Sequence, residues 1–244
     1  MYILIALMLG SVGSILLASA LLLLSKSKLE LVSTYLISVA GGTLLGAAFL
    51  GMIPKAIQVL QKPELALGLT LSGIILFFVV EKFILWRSCG NKECERYNSA
   101  SAPLILLGDA LHNFIDGIII TAAFFTSVEF GVIVTLTVFA HEIPQELADF
   151  GVLIHNGYSK KKALKFNLIS GLTTLVGGLL AYVVLETAER LIPFVLSFSA
   201  ASFIYIALAD LVPQMHSKTK LTDSIIQLLL ILLGVLIIYL IKRV

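Results

Sequence analysis

Apolar residues run along this chain in long unbroken stretches separated by short polar segments, and they do not alternate. The stretches lie at roughly 2–24, 32–54, 66–86, 102–126, 130–155, 163–185, 191–214 and 222–241. About 20 residues of helix cross a hydrocarbon core, so each stretch is long enough to span one. Strand periodicity is lacking. In lipid an open backbone must satisfy its own polar groups, which a helix does. The pattern predicts an all-α polytopic membrane protein with eight transmembrane helices in a single domain over residues 1–244.

Charge orients these spans. Lys and Arg concentrate in the segments after spans 1, 3, 5 and 7, as at Lys26, Lys28, Arg87, Lys160, Lys161 and Lys220. The positive-inside rule makes those segments cytoplasmic and places both termini outside. Helix 4 then runs outward and helix 5 inward. The apolar start at Tyr2 has no basic segment before it and reads as a retained first span.

Composition sharpens the class. The chain is 59% apolar and 13% charged, with a mean hydropathy of +1.03. A soluble domain carries about 25% charge, so little mass is expected outside the bilayer. A net charge of +2 is too small to suggest a nucleic-acid partner. Without any added targeting segment, a plain plasma membrane is the expected location. Two cysteines, Cys89 and Cys94, are too few for a disulfide scaffold. With Glu93 and Glu95 they form either a soft-metal capture site on the cytoplasmic side or two reduced thiols in a loop.

One stretch breaks the apolar rule. Residues 108–155 read GDALHNFIDG, an apolar run, then HEIPQELADFGVLIH, and no Lys or Arg occurs between Arg96 and Lys160. An acid near a bilayer centre costs roughly 2.5–3.5 kcal/mol on insertion scales, so an intramembrane cluster is a functional site by default. The missing cation is most simply a visiting metal ion. On helix 4, Asp109, His112 and Asp116 share one stripe, with Asn113 beside it. On helix 5, Glu142, Glu146 and Asp149 share a stripe, and His141 and Gln145 the adjacent one. Facing helices would bring His112, Asn113, Asp116, His141, Glu142 and Glu146 together. Pro144 cannot donate a backbone hydrogen bond, which frees the Ala140 carbonyl.

Imidazole with carboxylate suits zinc, iron(II), manganese or cadmium better than copper(I). Such ligands also release ions that four thiolates would hold. The metal is therefore expected as transported substrate, with zinc, iron(II), manganese and cadmium all open and no resident cofactor. Asp109, Asp149 and His155 read as stepping stones for release toward the cytoplasm. Asp210, near the cytoplasmic end of helix 7, serves either an exit path or an interfacial cap. A lone Asp or His would equally be a neutral or hydrogen-bonded packing group; the recurrence on two successive helices argues otherwise. A rival class is an intramembrane metal-dependent hydrolase: His141–Glu142 begins H-E-x-x-H, but Gln145 stands where the second histidine belongs.

A faint internal echo runs through the chain. Residues 41–54, GGTLLGAAFLGMIP, align without gaps to 200–213, AASFIYIALADLVP, with proline at 54 and 213. Helices 1–3 and 6–8 have opposite orientations on this topology, as in an inverted repeat.

At these residues the chain resembles the ZIP (Zrt-/Irt-like protein) family of divalent metal transporters. HNFIDG at 112–117 is similar to the family's HNF-x-D/E-G, and HEIPQELADFGVLIH at 141–155 to its HExPHE type with a GDFAVLL-like tail. The resemblance implies a 3+2+3 helix arrangement, a two-metal centre between helices 4 and 5, and movement of metal into the cytosol, in many members as a homodimer. Carried over by position, it implies His112, Asp116, His141 and Glu146 for the primary site. Asn113, Asp116, Glu142 and Glu146 would shape the second. Departures are Gln145 for the second histidine, and Ala47, Gly51 and Lys55 where the family's helix 2 has Asp, His and Glu. Helix 6 lacks the acid that completes the second site in some members, and the long histidine-rich loop is absent.

Overall fold

The computed structural model describes residues 2–88, 102–155, 157–217 and 220–242, and no strand occurs among them. Among the described residues eight helical rods follow one another: α1 (Tyr2–Leu21), α2 (Leu31–Leu60), α3 (Pro63–Ser88), α4 (Ala102–Thr126), α5 (Val128–His155), α6 (Lys160–Thr187), α7 (Glu189–His216) and α8 (Leu221–Lys242). Every rod except α5 is long and apolar enough to cross a membrane by length and composition. The exception carries Glu142, Glu146 and Asp149 in its second half. Charge at mid-membrane lowers its hydropathy, and the same charge is the chemistry of the site. Cys89 and Cys94 lie outside the described residues.

The rods pair in a pattern that repeats. α8 packs along α2, and α3 along α7; α6 packs along α4, and α1 along α5. Exchanging helices 1–3 with 6–8, and 4 with 5, maps each pair onto the other. Local distortions repeat too. α2 widens into a π-helical turn at Ala47–Met52 and α7 into one at Ala207–Leu211, each followed within a few residues by a proline, Pro54 or Pro213. Under the ungapped alignment of 41–54 with 200–213 the two turns overlap. A π-turn leaves backbone groups out of register, which a following proline tolerates because it has no N–H to place.

The main buried cluster is built from α2, α4, α5 and α7, with Leu44, Met52, Ile119, Ile120, Val134, Leu196 and Phe203 at its centre. α3 and α8 are buried over only 17% of their apolar windows, against 72% for α2. They are the outer rods, and their exposed Leu, Ile, Phe and Val side chains match a lipid surroundings.

Glycine sets the approach of α6 to α4. A Cβ on Gly117 would fall on the Thr174 carbonyl, and one on Gly177 on the Phe114 carbonyl. Two reciprocal glycines let the backbones touch. That contact carries the polar side chains of α6 onto the acidic stripe of α4. α6 itself breaks at Leu172 between Lys160–Gly171 and Thr173–Thr187. There Thr173 Oγ1 donates to the carbonyl oxygens of Ala110 on α4 and Ser170, both at 2.6 Å.

Candidate metal centre

Stripes on α4 and α5 converge where the two rods cross. Asp116, Glu142 and Glu146 are fully buried, and His141 and Asn113 very nearly so. His112 is half-buried, with 15% of its side chain exposed.

His141 is oriented by its own helix. Its Nδ1 lies 3.0 Å from the Thr137 carbonyl oxygen, one turn back. A carbonyl only accepts, so Nδ1 carries the proton and Nε2 is left with a free lone pair. That Nε2 lies 3.2 Å from His112 Nε2 and 3.1 Å from Asp116 Oδ2. His112 Nε2 is 3.6 Å from Asp116 Oδ2 and 3.4 Å from Glu142 Oε1, and His141 Nε2 is 3.8 Å from Glu142 Oε1. These are five of the six edges of a tetrahedron of two nitrogens and two oxygens. Ligands at about 2.0–2.1 Å from a tetrahedral zinc ion stand about 3.3 Å from one another. The ring edge of Phe203 on α7 closes one side of His141, with centroids 5.7 Å apart.

A second group shares Glu142. Asp109, Glu142 and Glu146 each bring a carboxylate oxygen within 4.8 Å of the others. Asp109 accepts from Ser170 Oγ at 2.5 Å and from Asn113 Nδ2 at 2.9 Å. Glu146 Oε2 accepts from Asn167 Nδ2 at 2.7 Å.

Buried acceptors remain without a donor: Asp116 Oδ1, both oxygens of Glu142, Glu146 Oε1 and Asn167 Oδ1. Each buried unsatisfied group costs about 1–3 kcal/mol, more when charged. The ion pairs of this centre all run between imidazole and carboxylate, and among the described residues no Lys or Arg takes part in them. A metal cation is the group that would satisfy these oxygens together.

The residues singled out from sequence fall as follows. His112, Asp116 and His141 meet in the tetrahedral group, and Glu142 completes it; Glu146 lies in the oxygen group instead. Asp109, read as a step toward release, belongs to that second group. Asn113 lies between, with its amide donating to Asp109 and its Oδ1 accepting from Thr174 Oγ1 at 2.9 Å. Gln145 is half-buried one turn past His141, and Asp149 is buried three residues past Glu146. Asp210 is exposed in the π-turn of α7. The His155 backbone ends α5, and its side chain lies outside what the structure describes. Ala47 and Gly51 are buried in the π-turn of α2, and a Cβ on Gly51 would strike the Phe130 ring. No ligand side chain fits there without moving that ring.

The centre also draws on polar residues of α6, a helix for which the sequence analysis names no ligand. Asn167, Ser170 and Thr174 repeat at three and four residues, which marks one face. Their partners across the α4–α6 contact are not encoded in that spacing.

Comparisons with known proteins place the chain among its relatives. The profile described as ZIP zinc transporter matches residues 86–242. "Zinc transporter foi" of Drosophila melanogaster is 39% identical over 138 residues, covering 57% of this chain and 19% of that protein. "Zinc transporter ZIP13" of Pongo abelii is 32% identical over 217 residues, covering 83% of this chain and 64% of the relative. "Zinc transporter ZIP4" of Mus musculus is 45% identical over 112 residues, covering 46% and 17%. The chain thus spans between about a fifth and two thirds of the length of these relatives. With the profile covering well over half of its residues, the chain belongs to the ZIP zinc transporter family.

Proposed function

We propose that this protein carries divalent metal, zinc first, across a membrane through the centre between α4 and α5. The observation that carries the reading is the near-tetrahedral grouping of His112, Asp116, His141 and Glu142 around a point with the ligand spacing of a zinc ion. The names of these relatives, all zinc transporters, support the same substrate. Iron(II), manganese and cadmium accept the same donors.

The steps follow from the side chains. A hydrated ion meets His112, the most exposed member of the group, and exchanges water for its Nε2 and for Asp116. His141, already held in the right tautomer by Thr137, adds a second nitrogen. Glu142 has both oxygens without donors and belongs to both groups, so it can hand the ion toward Asp109 and Glu146. Asp149 and His155 then lead to the end of α5. With the orientation read from Lys and Arg, this direction is from outside to cytosol, at a plasma membrane, with both termini outside. A homodimer is part of the reading through the family.

Metal flux into liposomes holding the purified protein tests it, with wild type beside His112→Ala and Glu146→Ala. Saturable zinc flux lost in both variants is expected. Flux of no metal, from protein that remains folded, would overturn the reading.

A further inference from the structure

α6 is longer than a hydrocarbon core requires. It runs for 28 residues, Lys160–Thr187. The stretch 166–185 carries no charge, and its rise of about 30 Å matches the thickness of that core. Lys160, Lys161, Lys162 and Lys165 precede it and therefore stand in the headgroup layer. All four are exposed. No Asp or Glu occurs between Asp149 and Glu186. Among the described residues none of the four lysines takes part in an ion pair. Lysine in the first turn of a helix opposes the helix dipole, so α6 itself gains nothing from this charge.

Two observations give the cluster a shape. Lys162 Nζ lies 4.8 Å from the centre of the Tyr158 ring and 5.7 Å from that of Phe166. The two rings meet edge to face with centroids 5.6 Å apart. Both pack on the buried cluster of Ile15, Phe150, Leu153 and Ala163, so the platform under Lys162 is part of the folded protein. Lys161 and Lys165 lie one turn apart on one face. The same face continues through Ile169, Leu172, Val176 and Val183, all exposed. Positive charge at the head of an apolar stripe complements a phospholipid with an anionic headgroup and acyl chains.

We propose that Lys161, Lys162 and Lys165 bind the headgroup of an anionic phospholipid whose acyl chains lie along this stripe, and that the bound lipid steadies α6 where it braces the metal centre. Asn167 and Ser170 follow Lys165 within two turns and donate to Glu146 and Asp109. Lipid binding stands apart from the transport reading, and its effect on flux rests on that reading.

Native mass spectrometry of the purified full-length chain in detergent, with phosphatidylglycerol or phosphatidylcholine added, reads the binding. Zinc flux into liposomes with and without phosphatidylglycerol reads the consequence. Wild type is expected to retain phosphatidylglycerol in preference and to carry zinc faster in its presence. Lys161→Gln/Lys165→Gln is expected to lose about fivefold in affinity for each lysine removed, and with it the gain in flux. Lys28→Gln/Lys220→Gln removes the same charge from other exposed positions and is expected to change neither. Equal losses in the two double variants would overturn the proposal, because diffuse surface charge explains them. Equal retention of both lipids by wild type would overturn it too. So would displacement of phosphatidylglycerol by soluble glycerol phosphate at the same concentration, because the lysines then read a free phosphate. If Lys161→Gln/Lys165→Gln is not monodisperse on gel filtration, Lys162→Gln decides alone: binding weakened about fivefold supports the site, and unchanged binding sinks it. Selective lipid binding with zinc flux in no liposome leaves the lipid site standing and removes the transport reading. Zinc flux indifferent to the bound lipid removes the steadying role and leaves the transport reading standing.

Discussion

His112 and His141 present their Nε2 atoms to each other across the α4–α5 crossing at 3.2 Å. Two aromatic nitrogens that close have two arrangements available: one proton shared between them, or one metal ion held by both. The two carboxylate oxygens at 3.1–3.8 Å from the pair favour the ion. Removing either imidazole is expected to weaken zinc binding by 10-fold or more, on the order of 1.4 kcal/mol. Isothermal titration of zinc into His112→Ala and His141→Ala protein checks this. Two variants with wild-type affinity would show that the ion binds elsewhere.

Protons and metal compete for the same lone pairs. Imidazole must be neutral and carboxylate ionised to coordinate, so acidification is expected to lower zinc affinity and flux together. The sign is fixed: affinity falls as pH falls, and binding releases protons into weakly buffered solution. Flux measured at constant free zinc across pH 5.5 to 7.5, chosen to span about the ordinary histidine range, should decline steadily on the acid side. A flat profile would contradict ligation through these residues.

Helix contact can be tested away from the ligands. Alanine at Gly117 or Gly177 puts a Cβ onto a backbone carbonyl of the facing helix. The rods must then separate, at a cost of about 1–3 kcal/mol. Asp109 and Asn113 would lose the side chains of α6 that hold them. Both variants should melt earlier and transport less. Gly108 has open space at its Cβ position, so Gly108→Ala should leave melting temperature and flux near wild type. Similar behaviour of all three would show that close α4–α6 packing does not support the centre.

Gln145 stands where the family motif has a second histidine. It lies one turn from His141 on the same stripe, so Gln145→His adds a third imidazole beside the tetrahedral group. A softer ligand set is expected to raise zinc affinity relative to manganese. Competition between the two metals for uptake measures the ratio directly. An unchanged ratio would place residue 145 outside the coordination sphere.

Much of this protein is legible one-dimensionally. Hydropathy alone marks the spans, because the bilayer imposes a minimum length on every crossing helix. α5 is the instructive case. Its composition disqualifies it as an ordinary span, yet its acids recur at helical spacing, and that spacing is what identifies the site. The echo between 41–54 and 200–213 is weak as sequence. It gains weight from the overlapping π-turns and from the matched pairing of α2 with α8 and α7 with α3.

What the amino-acid order by itself determined was therefore local: which segments span, which faces of α4 and α5 carry ligands, and the absence of a Lys or Arg to neutralise them. Those properties depend on helix periodicity and on the price of charge in lipid. Only the tertiary structure decided that Glu142 rather than Glu146 joins the two histidines, that Asp109 belongs to the centre, and that Asn113 is tied to Thr174. It also decided that Asn167 arrives from a different helix with a carbonyl to spare. Residues on one helix face differ by only a turn, about 5.4 Å. Which of them reaches a given ligand is set by where the rods cross, and that depends on glycine contacts far along the chain.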